Sequence, residues 1–229
     1  MKIKLSNKQK HILLWLWSSD HPNADKDDFF TEHPDFGHPL NDCFACQAAG
    51  ITDHTPVIYC DTKCPMLWAP KKVKAFNYCC GPESYYMLWN AADSEKDRAK
   101  YARKIVALAI KTWTNQPSGL ETVDIDLTNK QKFILMWTRL ADYPDMSPQD
   151  AYREYSDQKS GLYSYACDEV MKQEGTLPVN CEDLCPISWP GKAYIPCDKI
   201  LSKWRTATTL CKKMKYARKI AIRAVKTWK

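Results

Sequence analysis

Glycine is scarce in this sequence, with seven in 229 residues. So few argues against a glycine-rich phosphate cradle and against a large all-β fold, whose tight turns consume glycine. Long apolar runs are missing too. None approaches the ~20 residues that carry a helix across a bilayer, so no membrane partner is expected. No G-x-S-x-G, P-loop or H-E-x-x-H pattern occurs, which leaves no familiar catalytic constellation to build on. Histidine is absent after His54, so any histidine chemistry belongs to the first half of the chain. Acid is absent from Lys199 to Lys229, a stretch with eleven Lys or Arg.

What the chain does have, it has twice. Cys46…Cys60-x3-Cys64-Pro65-x-x-Trp68…Cys79 returns as Cys167…Cys181-x3-Cys185-Pro186-x-x-Trp189…Cys197. Thirteen residues separate the first two cysteines in both copies, and only the last gap differs, 14 residues against 11. The repeat extends outward. Leu5-Ser6-Asn7-Lys8-Gln9-Lys10 matches Leu127-Thr128-Asn129-Lys130-Gln131-Lys132, and Lys100-Tyr101-Ala102-Arg103-Lys104-Ile105 matches Lys215-Tyr216-Ala217-Arg218-Lys219-Ile220. Two copies are too few for a solenoid. They predict two homologous lobes in tandem, 1–113 and 127–229, joined by a linker over 114–126, a pseudo-dimer in one chain. At 45% hydrophobic, with nine Trp and twelve Tyr, the chain is not disordered, but each lobe is small enough to gain from a staple.

Four cysteines in register suggest one physical job, a metal site or a pair of disulfides. The apolar run Ile12–Trp17 does not read as an export signal, because its counterpart Ile134–Trp137 sits in mid-chain. A reducing compartment is therefore expected, where paired cysteines bind metal more readily than they cross-link. The expectation is two structural zinc ions, one on Cys46, Cys60, Cys64 and Cys79 and one on Cys167, Cys181, Cys185 and Cys197. Cys43 is an alternative ligand in the first lobe, where Cys43-x-x-Cys46 makes a closer pair; its counterpart is Ser164. Cys80 and Cys211 have no counterparts and read as spare thiols. Four thiolates leave no open coordination position, so such a metal is structural rather than catalytic.

The expected fold is mainly α, with a small α+β variant open through short strands near Tyr59-Cys60 and Tyr194-Ile195. Ser6-x-x-Gln9 and Thr128-x-x-Gln131 are capping boxes, and each starts a helix that stops near Pro22 or Pro144. The tryptophans read as core. Asn23–Asp42 reads as an acidic surface loop in which His33 and His38 are the pair of interest. Ser147–Tyr152 looks like a short capped helix. Each lobe ends in a helix, roughly 84–113 and 199–228, with possible breaks. At about 100° per residue, Lys212, Lys215, Lys219, Arg223 and Lys226 form one stripe, interrupted in the first lobe by Asp97 and Leu108. It reads either as a solvated helix face or as a contact for phosphate or an acidic protein.

The order of elements resembles small cysteine-rich proteins of tailed bacteriophages, here doubled. The matching residues are Cys43, Cys46, Cys60, Cys64, Pro65, Trp68, Cys79, Trp89, Tyr101, Ala102 and Ile105. Their second-lobe partners run from Cys167 through Pro186, Trp189, Pro190, Gly191 and Cys197 to Ile220. The second lobe departs by lacking the first cysteine of the pair. The resemblance implies a phage accessory protein in a bacterial host cytoplasm, of a class that engages host or defence proteins, and the missing catalytic motifs make a non-enzymatic binding protein the expected reading. Nucleic-acid binding through the basic helix and sequestration of a small signalling nucleotide are the alternatives.

Overall fold

A computed structural model describes residues 2–39, 42–51, 62–68, 79–81, 83–114, 120–156, 164–174, 184–189 and 197–229. The described chain is mainly helical with one two-stranded sheet. It divides into two compact units, Met1–Ile125 and Asp126–Lys229.

In the first unit, strand β1 (Lys2–Leu5) leads into helix α1 (Asn7–Asp20). Next come α2 (Lys26–Glu32), a 3-10 turn at Pro34–Phe36 and α3 (Phe44–Ala48). Then follow α4 (Tyr85–Asn90), α5 (Glu95–Thr112) and strand β2 (Glu121–Asp124). The second unit contains α6 (Asn129–Asp142), α7 (Pro148–Arg153), α8 (Tyr165–Glu174), α9 (Asp198–Arg205) and α10 (Leu210–Thr227).

Local chemistry sets the helix ends. The Gln9 backbone N–H donates to Ser6 Oγ and the Ser6 N–H to Gln9 Oε1, at 3.4 and 2.9 Å. Gln131 and Thr128 repeat the exchange at 3.2 and 2.9 Å. Both helices close on a 2.8 Å bond to the fourth carbonyl back, His21 to Trp17 and Tyr143 to Arg139. The terminal helix of each unit breaks once. Ser94 and Thr209 accept from the backbone N–H groups of Asp97 and Lys212, so α5 and α10 begin with fresh caps.

The first helix of each unit packs on the last, α1 on α5 and α6 on α10. An aromatic pair also ties each first helix to the short helix that precedes the last, α4 or α9. Trp15 meets Trp89 edge-to-face at 5.0 Å and 90°, and Trp137 meets Trp204 at 5.4 Å and 89°. Such pairs add about 0.5–1.5 kcal/mol beyond the area they bury. Seven of the nine tryptophans are buried, in keeping with a core role.

Two expectations change. The stretch read as a surface loop is α2 and the 3-10 turn, and its Phe29, Phe30 and Phe36 are buried with Phe44. Part of the stretch read as a linker is β2, paired antiparallel with β1 in the register Ile3↔Val123 and Leu5↔Glu121. It belongs to the first unit because Val123 is buried with Ile3 and Leu5. The strands expected near Tyr59 and Tyr194 lie outside the described residues.

Burial of α1 extends from Asn7 to Ser19 on every side. Lys10 is fully buried, its ammonium paired with Glu121 of β2 and 5.5 Å from the Phe44 ring centroid. A buried charge that loses its partner costs more than an apolar replacement of similar volume. Glu121→Gln is therefore expected to lower the urea midpoint further than Lys10→Met. The opposite ranking would mean that Lys10 draws its stability from somewhere other than Glu121.

Candidate metal centres and basic face

The Cys-Pro segment of each unit is pinned to the end of the terminal helix. The Thr114 N–H donates to the Pro65 carbonyl at 2.9 Å, and the Lys229 N–H to that of Pro186 at 2.8 Å. The Leu67 N–H donates to Thr112 Oγ1 at 3.2 Å, while Arg223 Nε and Thr227 Oγ1 donate to the Ser188 carbonyl. The tryptophan three residues past the proline turns back onto the cysteine. Trp68 Nε1–H donates to Cys64 Sγ at 3.2 Å, and Trp189 Nε1–H to Cys185 Sγ at 3.4 Å. An N–H donated to sulfur is the kind of outer contact that orients a metal-binding thiolate.

In the second unit, Cys167 on α8, Cys185, and Cys197 at the start of α9 line one cavity of about 510 Å³. Phe133, Ser164 and Trp189 share its wall. Burial pushes the Cys167 thiol up, and the neighbouring Cys185 adds to the shift.

In the first unit, Cys43 sits at the N-cap of α3 and Cys46 is buried one turn on. A hydrogen bond with Cys46 holds the Cys43 thiol well below the ordinary range, against the effect of burial, and His11 lowers it further. Cys46 is pushed up by its bond to Cys43 and by burial, with Cys79 and Cys64 contributing. Cys79 is raised by burial first, then by Cys43, Cys80 and Cys64. Cys43, Cys46, Cys64 and Cys79 thus share one electrostatic neighbourhood. Cys60 and Cys181 lie outside the described residues. Soft sulfur ligands gathered in half-buried clusters of this kind suit zinc. Among the described residues, no three of these thiols, with or without His11, already stand within 4.8 Å of one another. The expected ligands are neighbours that would still have to close on an ion.

The one set of three ligating atoms that does meet that distance among the described residues is Asp27, His38 and Asp42. His38 lies 3.7 Å from Asp27 and 3.2 Å from Asp42 on the surface. His33 does not join it, being half-buried against Phe29 at 4.8 Å and Phe36 at 5.9 Å.

Two buried groups were not among the expected site residues. Lys10 is one. The other is His11, fully buried, with neither ring nitrogen in a hydrogen bond of ordinary geometry. Its exchange for Phe133 in the second copy was visible in the repeat.

On α10, Lys212, Lys215, Lys219 and Lys226 are exposed. Arg223, read as part of the same stripe, is half-buried and spends its guanidinium on the Ser188 carbonyl. No helix of the described residues is long and apolar enough to cross a membrane. Comparison with family models, curated proteins and solved structures finds no match for the chain.

Burial lowers the His33 pKa from 6.5, with Glu32 opposing and His21 assisting. The unfolded chain therefore binds the proton more readily, and the stability of the neutral ring is lost as pH falls below 6.5. His33→Gln is expected to flatten the loss of thermal stability between pH 7 and pH 5. An unchanged slope in that variant would assign the acid sensitivity to other groups.

Proposed function

We propose that each unit is stapled by one structural zinc ion, and that the chain is a non-enzymatic binding protein. It docks an acidic partner protein on the cationic side of α10. The second unit's ligands are Cys167, Cys181, Cys185 and Cys197. The first unit's come from the group Cys43, Cys46, Cys60, Cys64 and Cys79. The resemblance to phage proteins makes the partner a host or defence protein in a bacterial cytoplasm.

The observation that carries the docking reading is the exposure of Lys212, Lys215, Lys219 and Lys226 on a segment without a single acid. In the first unit the matching helix carries Asp97, which pairs with Lys100 at 2.8 Å, and Leu108 stands where α10 has Arg223. Uncompensated charge on one face steers an oppositely charged partner and speeds encounter.

Nucleic-acid binding is the second reading, favoured by the same eleven cations. It draws less support from the aromatics, since seven tryptophans are buried and cannot serve as stacking platforms.

Native mass spectrometry is expected to find two zinc ions per chain, with a strong chelator lowering the thermal midpoint. A metal-free folded chain would remove the staple from this reading. For the face, a fluorescent polyglutamate peptide stands in for an acidic protein and a mixed-sequence oligonucleotide for nucleic acid. Lys215→Glu with Lys219→Glu is expected to weaken peptide binding at least tenfold. Oligonucleotide binding alone, falling steeply with salt, would favour the second reading. Binding of neither would sink both.

A further inference from the structure

The two units place different chemistry at matched positions beside their cysteines. Phe133 and Ser164 line the cavity that holds Cys167, Cys185 and Cys197. The repeat puts His11 and Cys43 at those positions in the first unit. Each exchange turns a group unable to bind a soft metal into one that can, and the two occur together.

The surroundings of the two rings agree. Phe133 stands 5.6 Å from Trp228 and 6.2 Å from Trp137, while His11 stands 5.5 Å from Trp113 and 6.2 Å from Trp15. His11 also meets Trp68 edge-on at 6.2 Å, and the Trp68 indole N–H is bonded to Cys64 Sγ. The imidazole therefore occupies the slot of a core phenylalanine, among indoles, next to the thiols. It is fully buried, and neither Nδ1 nor Nε2 makes a hydrogen bond of ordinary geometry; the polar group it acts on is the Cys43 thiol beside it. Buried polar groups are satisfied as a rule, and an exception calls for a cause. An ion bound at one ring nitrogen would satisfy an acceptor that no protein donor meets in ordinary geometry.

We infer that His11 is a ligand of the first unit's zinc, with three thiolates drawn from Cys43, Cys46, Cys64 and Cys79, so that this centre is an imidazole–thiolate site while the second is thiolate only. This rests on the reading of both units as zinc-stapled. The charge balance fits. Four thiolates around Zn²⁺ carry a net charge of −2, and three with a neutral imidazole carry −1. The thiolate-only unit has Arg205 on the wall of its cysteine cavity. The tryptophan repeat Trp89/Trp204 puts uncharged Asn90 at that position in the first unit.

The test uses the full chain loaded with zinc and labelled with ¹⁵N at its five histidines. One imidazole is expected to hold a single tautomer, to show a metal-bound nitrogen shift and to stop titrating between pH 5 and 8. In His11→Phe, which copies the second unit, that signal is expected to vanish. One zinc of the two should then become removable by a chelator concentration that leaves the wild type fully loaded. Two bound zinc ions with all five histidines titrating would overturn the inference and leave the zinc reading intact. No bound zinc in the wild type would overturn both. Should His11→Phe fail to fold, the wild-type spectrum decides alone.

Discussion

Near-complete burial of α1 is the constraint to which the rest of the first unit answers. A helix in contact with protein on every side cannot leave a polar group to water. Ser18 and Ser19 return their hydroxyls to the carbonyls of Leu14 and Leu16. Trp17 gives its indole N–H to Glu32 at 3.0 Å. Lys10 needs an anion and finds one on β2, so a charge on the first helix dictates where the last strand lies. His11, like Asn7 Oδ1 and the Trp15 indole N–H, makes no hydrogen bond of ordinary geometry, and it sits beside the thiols.

The second unit shows what the same plan becomes when that constraint is relaxed. Lys132, which matches Lys10, is half-buried. Phe133 takes the place of His11 and needs no partner. The shared scaffold persists through these changes: the capping box, the edge-to-face tryptophans, the tryptophan N–H on sulfur and the clamp on the proline carbonyl recur within a few tenths of an ångström. Cation–π pairs are kept as well, with Arg98 over Trp89 at 4.5 Å and Lys213 over Trp204 at 5.8 Å. What both copies keep serves packing. What they vary gathers around the cysteines and on the outer face of α10.

The features legible in the sequence were those with a local cause. A hydroxyl three residues before a glutamine caps a helix wherever it stands, so both capping boxes could be read directly. Ser147 and its short helix followed the same logic. The break before α5 was not placed, although Ser94 three residues before Asp97 carries the signal. The sheet was missed because each strand has four residues and its partner lies more than a hundred residues away. Alternation at Ile3 and Leu5 and again at Val123, Ile125 and Leu127 was the available clue. Phe29, Phe30 and Phe36 were misjudged because acidic neighbours masked them, whereas Asp25 and Asp28 in fact form a third capping box. The ligand sets stayed open for a different reason. Spacing tells which cysteines are near in sequence, but Cys43, Cys46, Cys64 and Cys79 are brought together only by packing around α1.

Joining β1 to β2 also orders events in time. Lys2–Leu5 leaves the ribosome early in this unit, yet its strand partner among the described residues, Glu121–Asp124, follows more than a hundred residues later. The anion for buried Lys10 comes from the same late segment, 111 residues downstream. Closing so long a loop is entropically costly and slow. During synthesis α1 must therefore wait, with its apolar sides and one unpaired ammonium uncovered, until the whole first unit has emerged. Completion of that unit is thus a late, cooperative step rather than a progressive one, and the nascent chain is most open to aggregation or chaperone capture in that interval.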